Sequence, residues 1–248
     1  EIFLFDNRVG EVGAHELARA LRGLRAPRKV LLGLNRNSVS EAGIQDVANA
    51  IGALPRGLTD LELHLSVSSV GWAGAHDLGA AVQALEGLRS LTLDLNVNHV
   101  GAAGARLLAQ AVAAQKSLVS LRFLVSGNRI REVGAREIAQ ALATLDQLTS
   151  LELDISGNGI GDSGAWELAR AITSMKLSRL IADLRGNLVG DHGARELARA
   201  VGDMPKLARL ELHLGGNCRG GGVGPCHSEL AHAVQRLQTS GCICECSW

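Results

Sequence analysis

Apolar positions along this chain keep two rhythms in turn. In stretches such as Leu148-x-x-Leu151-x-Leu153-x-Ile155 they fall two apart, which puts them together on one face of an extended strand. Further on, Ala165, Leu168, Ala169 and Ile172 fall at i, i+3, i+4 and i+7, the stripe of an amphipathic helix. The strand half returns as Leu88, Leu91, Leu93 and Leu95, and again as Leu177, Leu180, Ala182 and Leu184. The helix half returns as the phrase Gly-Ala-x-x-Leu-Ala-x-Ala-Leu. It opens at Gly13, in a weaker copy at Gly43, then at Gly74, Gly104, Gly134, Gly164 and Gly193, with gaps of 30, 31, 30, 30, 30 and 29 residues. An eighth copy lies near Ser228, Glu229 and Leu230, displaced by a short insertion and with Cys226-His227 in place of Gly-Ala. A period of this size predicts stacked strand–loop–helix units, about eight of them. Each helix is too short to persist alone, so stacking must supply its stability.

One polar position repeats with the apolar ones. Six residues before each helix glycine stand Asn7, Asn37, Asn98, Asn128, Asn158, Asn187 and Asn217, with Ser68 in the third unit. There the chain leaves the strand and turns inward, carrying backbone groups that water cannot reach. A carboxamide offers two donors and an acceptor, so a ladder of them can satisfy those groups from layer to layer. Removing one rung, as in Asn158→Ala, is expected to cost about 1–3 kcal/mol. Serine supplies only part of the set, so the third junction is expected to be the weakest. The solenoid is expected to span 1–234, followed by a cysteine-containing tail or cap over 235–248.

These residues resemble the leucine-rich-repeat family, in the class typified by ribonuclease inhibitor. Leu-x-x-Leu-x-Leu is followed by Asn, by Ile160-Gly161, and by the Gly164-x-x-x-Leu168 helix start. The resemblance runs from about Ile2 to Val234. The strand half carries one additional Leu-x step, which gives about 30 residues per unit where that class has 28 or 29. The resemblance implies an α/β horseshoe with parallel strands on the concave face and helices on the convex face. It also implies protein binding as the usual role, with no shared set of catalytic residues.

Composition changes this picture little. Aromatics are 2% of the chain and tyrosine is absent, so the core has to be thin layers of Leu, Val, Ile and Ala. Lys plus Arg and Asp plus Glu are 25 each, which gives no overall pull toward nucleic acid or anionic membrane. No apolar run is long enough to span a bilayer. The chain starts at Glu1 rather than Met, so an upstream segment, a targeting one included, stays open. The compartment, cytoplasmic or organellar, stays open with it.

Candidate chemistry follows from the strand alternation. If the leucines face inward, the residues between them line the concave face. Six before each ladder position the stripe reads Glu1, Leu31, Glu62, Thr92, Arg122, Glu152, Ile181 and Glu211; four before, it reads Phe3, Gly33, His64, Asp94, Leu124, Asp154, Asp183 and His213. Acids outnumber Arg122 here by seven to one, with Arg185 and Asn96 on the next stripe. An acidic inner surface favours a basic partner, although solvated Glu and Asp are also ordinary fillers of exposed strand positions. Trp72 and Trp166 are either interface anchors or partly buried packing residues.

All five cysteines, Cys218, Cys226, Cys242, Cys244 and Cys246, follow residue 217. Reduced thiols, disulfides with one thiol left over, and a metal site helped by His227 or His232 all remain open. The glycine run after Arg219 lacks the Lys-Ser/Thr of a phosphate loop, and no sequence carries a hydrolase or metalloprotease signature. The expectation is a non-catalytic module with no cofactor. It binds one or more proteins through its concave face, without nucleic acid, membrane insertion or a small-molecule ligand. A scaffold subunit built into a large assembly is the alternative, and a GTPase-regulator-like or metal-binding role comes third.

Overall fold

The computed structural model describes residues 1–204, 206–217, 225–239 and 241–247, with 225–230 described by their backbone alone. Strands and helices alternate: β1 (Ile2–Phe3), α1 (Gly10–Arg22), β2 (Lys29–Gly33), α2 (Glu41–Gly52), β3 (Asp60–His64), α3 (Gly71–Ala84), β4 (Ser90–Asp94), α4 (Gly101–Ala114), β5 (Ser120–Leu124), α5 (Arg131–Leu142), β6 (Ser150–Asp154), α6 (Gly161–Ser174), β7 (Arg179–Asp183), α7 (Asp191–Gly202), β8 (Arg209–His213), α8 (Pro225–Thr239) and β9 (Ile243–Ser247). All the strands lie parallel in a single sheet, in chain order. This is the α/β solenoid of stacked strand–loop–helix units that the two alternating periods predict, with the parallel strands and helices that the leucine-rich-repeat resemblance implies.

Register is set by burial of alternate side chains. Leu61, Leu91, Leu121, Leu151, Leu180 and Leu210 stand opposite one another across successive strands. Each is fully buried or nearly so, as are Ala165, Leu168, Ala169 and Ile172 on the inner face of α6. Small residues let the helices approach. A Cβ placed on Gly164 would lie 2.8 Å from Ile160 Cβ and 3.1 Å from Ala135 Cβ of the preceding helix. The glycine opening the helix phrase is therefore required by close packing.

The chain past the last clear repeat phrase also joins the stack. The boundary expected after Val234 falls inside α8, and β9 pairs in parallel with β8, Leu210 opposite Cys244 and Leu212 opposite Cys246. Residues 243–247 thus add a strand that the repeat phrase does not announce.

From Asn98 to Asn217 the asparagines form a continuous set of hydrogen bonds along the spine. Asn128 Oδ1 accepts from Asn98 N–H (2.9 Å) and Val100 N–H (3.0 Å), while its Nδ2 donates to Leu95 O (2.8 Å) and Ser126 O (3.0 Å). Asn98, Asn158, Asn187 and Asn217 bond in the same way one layer up or down. Asn37 Nδ2 reaches Leu4 O and its Oδ1 takes Val9 N–H. The bonded rungs are nearly or fully buried.

The third unit breaks the pattern. Ser68 Oγ donates to Leu34 O (3.0 Å) and Ser66 O (3.3 Å). Among the described residues, no hydrogen bond runs from Asn37 N–H or Val39 N–H to it. Val39 N–H turns instead to Asn37 O at 2.6 Å. Ser68→Asn restores the missing acceptor at a position that holds Asn in the flanking units. It is expected to raise stability by about 1 kcal/mol, the net worth of a hydrogen bond made good. Urea unfolding followed by circular dichroism measures this, and an unchanged midpoint would show the junction to be satisfied already.

Candidate functional site on the concave face

Strand alternation brings the expected stripe residues onto one face. Glu62, Thr92, Arg122, Glu152, Ile181 and Glu211 stand opposite one another across β3 to β8, as do His64, Asp94, Leu124, Asp154, Asp183 and His213. Glu245 and Ser247 of β9 extend both stripes. Arg185, in the loop after β7, folds back onto the same face. Most of these side chains are half-buried, and Thr92, Asp94 and Asp183 are buried. Neighbouring strands lie about 4.8 Å apart, so flanking side chains cover them.

The acids of this face are largely paired. Arg122 grips Glu152 through Nε and Nη2, both at 2.9 Å, and Arg179 stands 3.9 Å from the same carboxylate. Lys29 meets Glu62 at 2.7 Å and Arg209 meets Glu211 at 2.5 Å. Arg185 closes on Asp183 with Nη2 at 2.5 Å and Nε at 3.0 Å. Hydrogen bonding to Glu152 raises the Arg122 pKa, and hydrogen bonding to Asp183 raises that of Arg185. Lys29, Arg179 and Arg209 sit two positions before the first stripe and are the residues that counting on two stripes left out. Carrying the alternation one step back along each strand would have found them. Over β2 to β9 the strands hold eight carboxylates and four cations, so the face is acidic by two to one rather than seven to one.

What excess remains is concentrated at the centre. Asp94 and Asp154 flank Leu124 in the register. Asp94 accepts from Asn96 N–H at 3.3 Å and has His64 at 3.7 Å, and among the described residues no arginine or lysine forms an ion pair with it. Asp154 accepts from Ser156 Oγ at 2.7 Å and Ser156 N–H at 3.0 Å. Burial pushes the Asp154 carboxyl above its ordinary value, the Ser156 bonds pull it down, and neighbouring Asp183 adds to the rise. Half-buried Leu124 between two carboxylates makes a seat for a cationic side chain, whose methylenes lie on the leucine while its head meets the acids.

His64 and His213 are far apart along the sheet and do not act together; His213 Nδ1 lies 2.7 Å from Ser247 Oγ. Cys218 lies outside the described residues, as does the side chain of Cys226. Cys242, Cys244 and Cys246 are free thiols, with the Cys242 and Cys244 sulfurs 3.5 Å apart. Burial, then the contact with Cys242, pushes Cys244 up to about 12, and burial raises Cys246. The Cys244 thiol is thus held protonated at neutral pH in the metal-free chain. Among the described residues no group of three His, Cys, Asp or Glu side chains is close enough to hold a metal ion. Among them, too, no helix is long and apolar enough to cross a membrane.

The two tryptophans differ. Trp166 on the outer face of α6 lies under the Arg170 guanidinium, 5.3 Å from the ring centre, beside an open groove of about 430 Å³ between α6 and α7. Trp72, at the start of α3, is 65% exposed.

Residues 147–169, which run from the loop before β6 to the middle of α6, match the family described as Leucine Rich repeat. No curated protein matches the chain.

Proposed function

Because the chain is a leucine-rich-repeat solenoid resembling the ribonuclease-inhibitor class, we propose that it is a non-catalytic protein-binding module whose partner lies along the concave face. Repeats of this family generally mediate protein–protein interaction and are typically non-catalytic. The observation that carries the reading is the centre of the sheet. Leu124 is flanked there by Asp94 and Asp154, inside a frame of side chains already held by ion pairs such as Arg122–Glu152. A frame fixed before binding loses little side-chain entropy on binding. The unbalanced carboxylates favour a partner that presents Lys or Arg, and charge complementarity of this kind raises the association rate and selects among partners.

Gentle cross-linking of the native complex, with linked peptides identified by mass spectrometry, tests the assignment. Links from Glu152, Asp154 and Asp183 to a single protein are the expected result. Links spread over several proteins and confined to the rims and outer helices would make the chain an architectural subunit instead. For the partner so found, Asp94→Asn with Asp154→Asn is expected to lower affinity about tenfold at physiological salt and to flatten its salt dependence. Arg170→Ala on the convex face should leave both unchanged.

A further inference from the structure

The rim of the solenoid where strands hand over to helices carries a second irregularity, unconnected with the concave acids. The residue just before each ladder position is left-handed in every layer, with φ between 54° and 71°: Asp6, Arg36, Val67, Val97, Gly127, Gly157, Gly186 and Gly216. Glycine adopts this conformation freely, whereas a β-branched residue is strained in it. Val67 and Val97 are the two β-branched members. Burial does not compensate the strain, because they are 48% and 49% exposed.

Four residues past the ladder position, a second local rule that holds in five of the helices α1 to α7 fails in the same two layers, and α8 lacks the acid as well. Glu11, Glu41, Glu132, Asp162 and Asp191 put an acid in the first turn of α1, α2, α5, α6 and α7, the sign that a helix start favours. α3 and α4 have none there; Trp72 and Ala102 occupy the place. Three of the four places so changed, Val67, Val97 and Trp72, carry an exposed apolar residue, and Ala102 at the fourth is half-buried. The change is continuous across layers. The Trp72 backbone abuts Gly104 of α4, Ala102 abuts Gly134 of α5, and the Val97 side chain leans toward Gly127. Val133, 48% exposed, is the neighbour in sequence of Gly134, against which Ala102 lies. Exposed Arg129 and Arg131 border the patch on the side of α5, with Glu132 as the carboxylate next to them.

Rule-breaking that the isolated fold does not reward points to a functional surface. We propose that the rim formed by Val67, Trp72, Val97 and Val133 docks a segment of another protein in which a large apolar side chain is followed by carboxylates. The apolar anchor packs on Trp72 and the valines, and the carboxylates meet Arg129 and Arg131. A nucleic acid is disfavoured because neither 67–72 nor 97–102 contains a lysine or arginine. This surface is separate from the concave centre and does not depend on its assignment.

The test is selection of a displayed library of random 16-residue peptides against the full chain, followed by affinity measurement on purified variants. The expected peptides carry a Trp, Phe or Leu followed by Asp or Glu. Their affinity should fall at least tenfold in Trp72→Ala and in the Val67→Gly, Val97→Gly double variant, and be unchanged in Asp94→Asn with Asp154→Asn. The double glycine variant is also expected to unfold at higher temperature than the parent, so loss of binding together with gain of stability is the signature. A purely structural role for the valines would move stability alone and overturn the proposal. Peptides that are basic, or that bind all variants equally, overturn it as well. Two further results would assign the patch to a different occupant and overturn it too: Trp72-dependent binding of vesicles containing phosphatidylserine, or Trp72-dependent self-association in sedimentation.

Discussion

Phe123→Ala is expected to lower stability by about 4 kcal/mol, the largest loss from any single core truncation in this chain. Phe123 is 1% exposed and is the bulkiest fully buried side chain. It stands opposite Leu93 on β4 and Leu153 on β6, at the midpoint of the stack. Truncation removes the transfer energy of a phenyl ring and leaves a cavity between two layers that the repeat holds at fixed spacing. Each layer of a solenoid touches only its neighbours, so the damage stays at the β4–β5–β6 junction. Phe123→Leu, which copies what neighbouring layers carry at this place, is expected to cost under about 1.5 kcal/mol. Urea unfolding gives both numbers. Hydrogen exchange resolved by segment should show protection lost first in residues near 90–160 for the alanine variant. Uniform loss along the chain would mean that the stack unfolds as one block.

The fold was legible because each unit repeats the same two apolar periods, and an error in any one copy is corrected by the others. The ladder was legible for the same reason, down to the shortfall at Ser68. Legibility failed where repetition did. β9 does carry a strand alternation, Ile243-Cys244-Glu245-Cys246-Ser247, with the cysteines acting as small apolar residues facing the core. Weighing Cys-x-Cys-x-Cys only as reduced thiols, disulfides or a metal site passed over that period. Of the candidate site, the face of every stripe residue was readable from alternation alone. The balance of charge was not, because Lys29 and Arg179 reach across from strand starts to Glu62 and Glu152, and Arg209 reaches along its own strand to Glu211. The rim patch was less visible still. Val67 and Val97 look like ordinary apolar residues until their left-handed backbone and their exposure are known together.

Asn158→Ala tests whether the spine holds the layers together or merely lines them. Asn158 Oδ1 accepts from Asn128 N–H (2.9 Å) and Ile130 N–H (3.2 Å), and Nδ2 donates to Val125 O, Ile155 O and Ser156 O at 2.8–3.1 Å. Alanine strands two buried amide donors of the preceding layer at once, and water has no route to a position 3% exposed. The cost is therefore placed at the top of the range for one orphaned group, about 3 kcal/mol. Asn158→Asp separates the two halves of the rung. It keeps the acceptor for both amides but turns donors into a buried charge facing three carbonyls, so it should be at least as damaging as alanine at neutral pH. A carboxyl held among carbonyl oxygens has its folded pKa raised above its unfolded value. The protonated form, which can still donate, is thus favoured by folding, and part of the lost stability should return as pH falls through the raised folded pKa, the recovery being complete near the unfolded value of about 4. Unfolding midpoints for the parent and both variants at pH 7 and pH 4 decide the matter. Alanine equal to the parent would reduce the ladder to a packing feature, and an Asp variant with no recovery in acid relative to the parent would show that the amide donors contribute little.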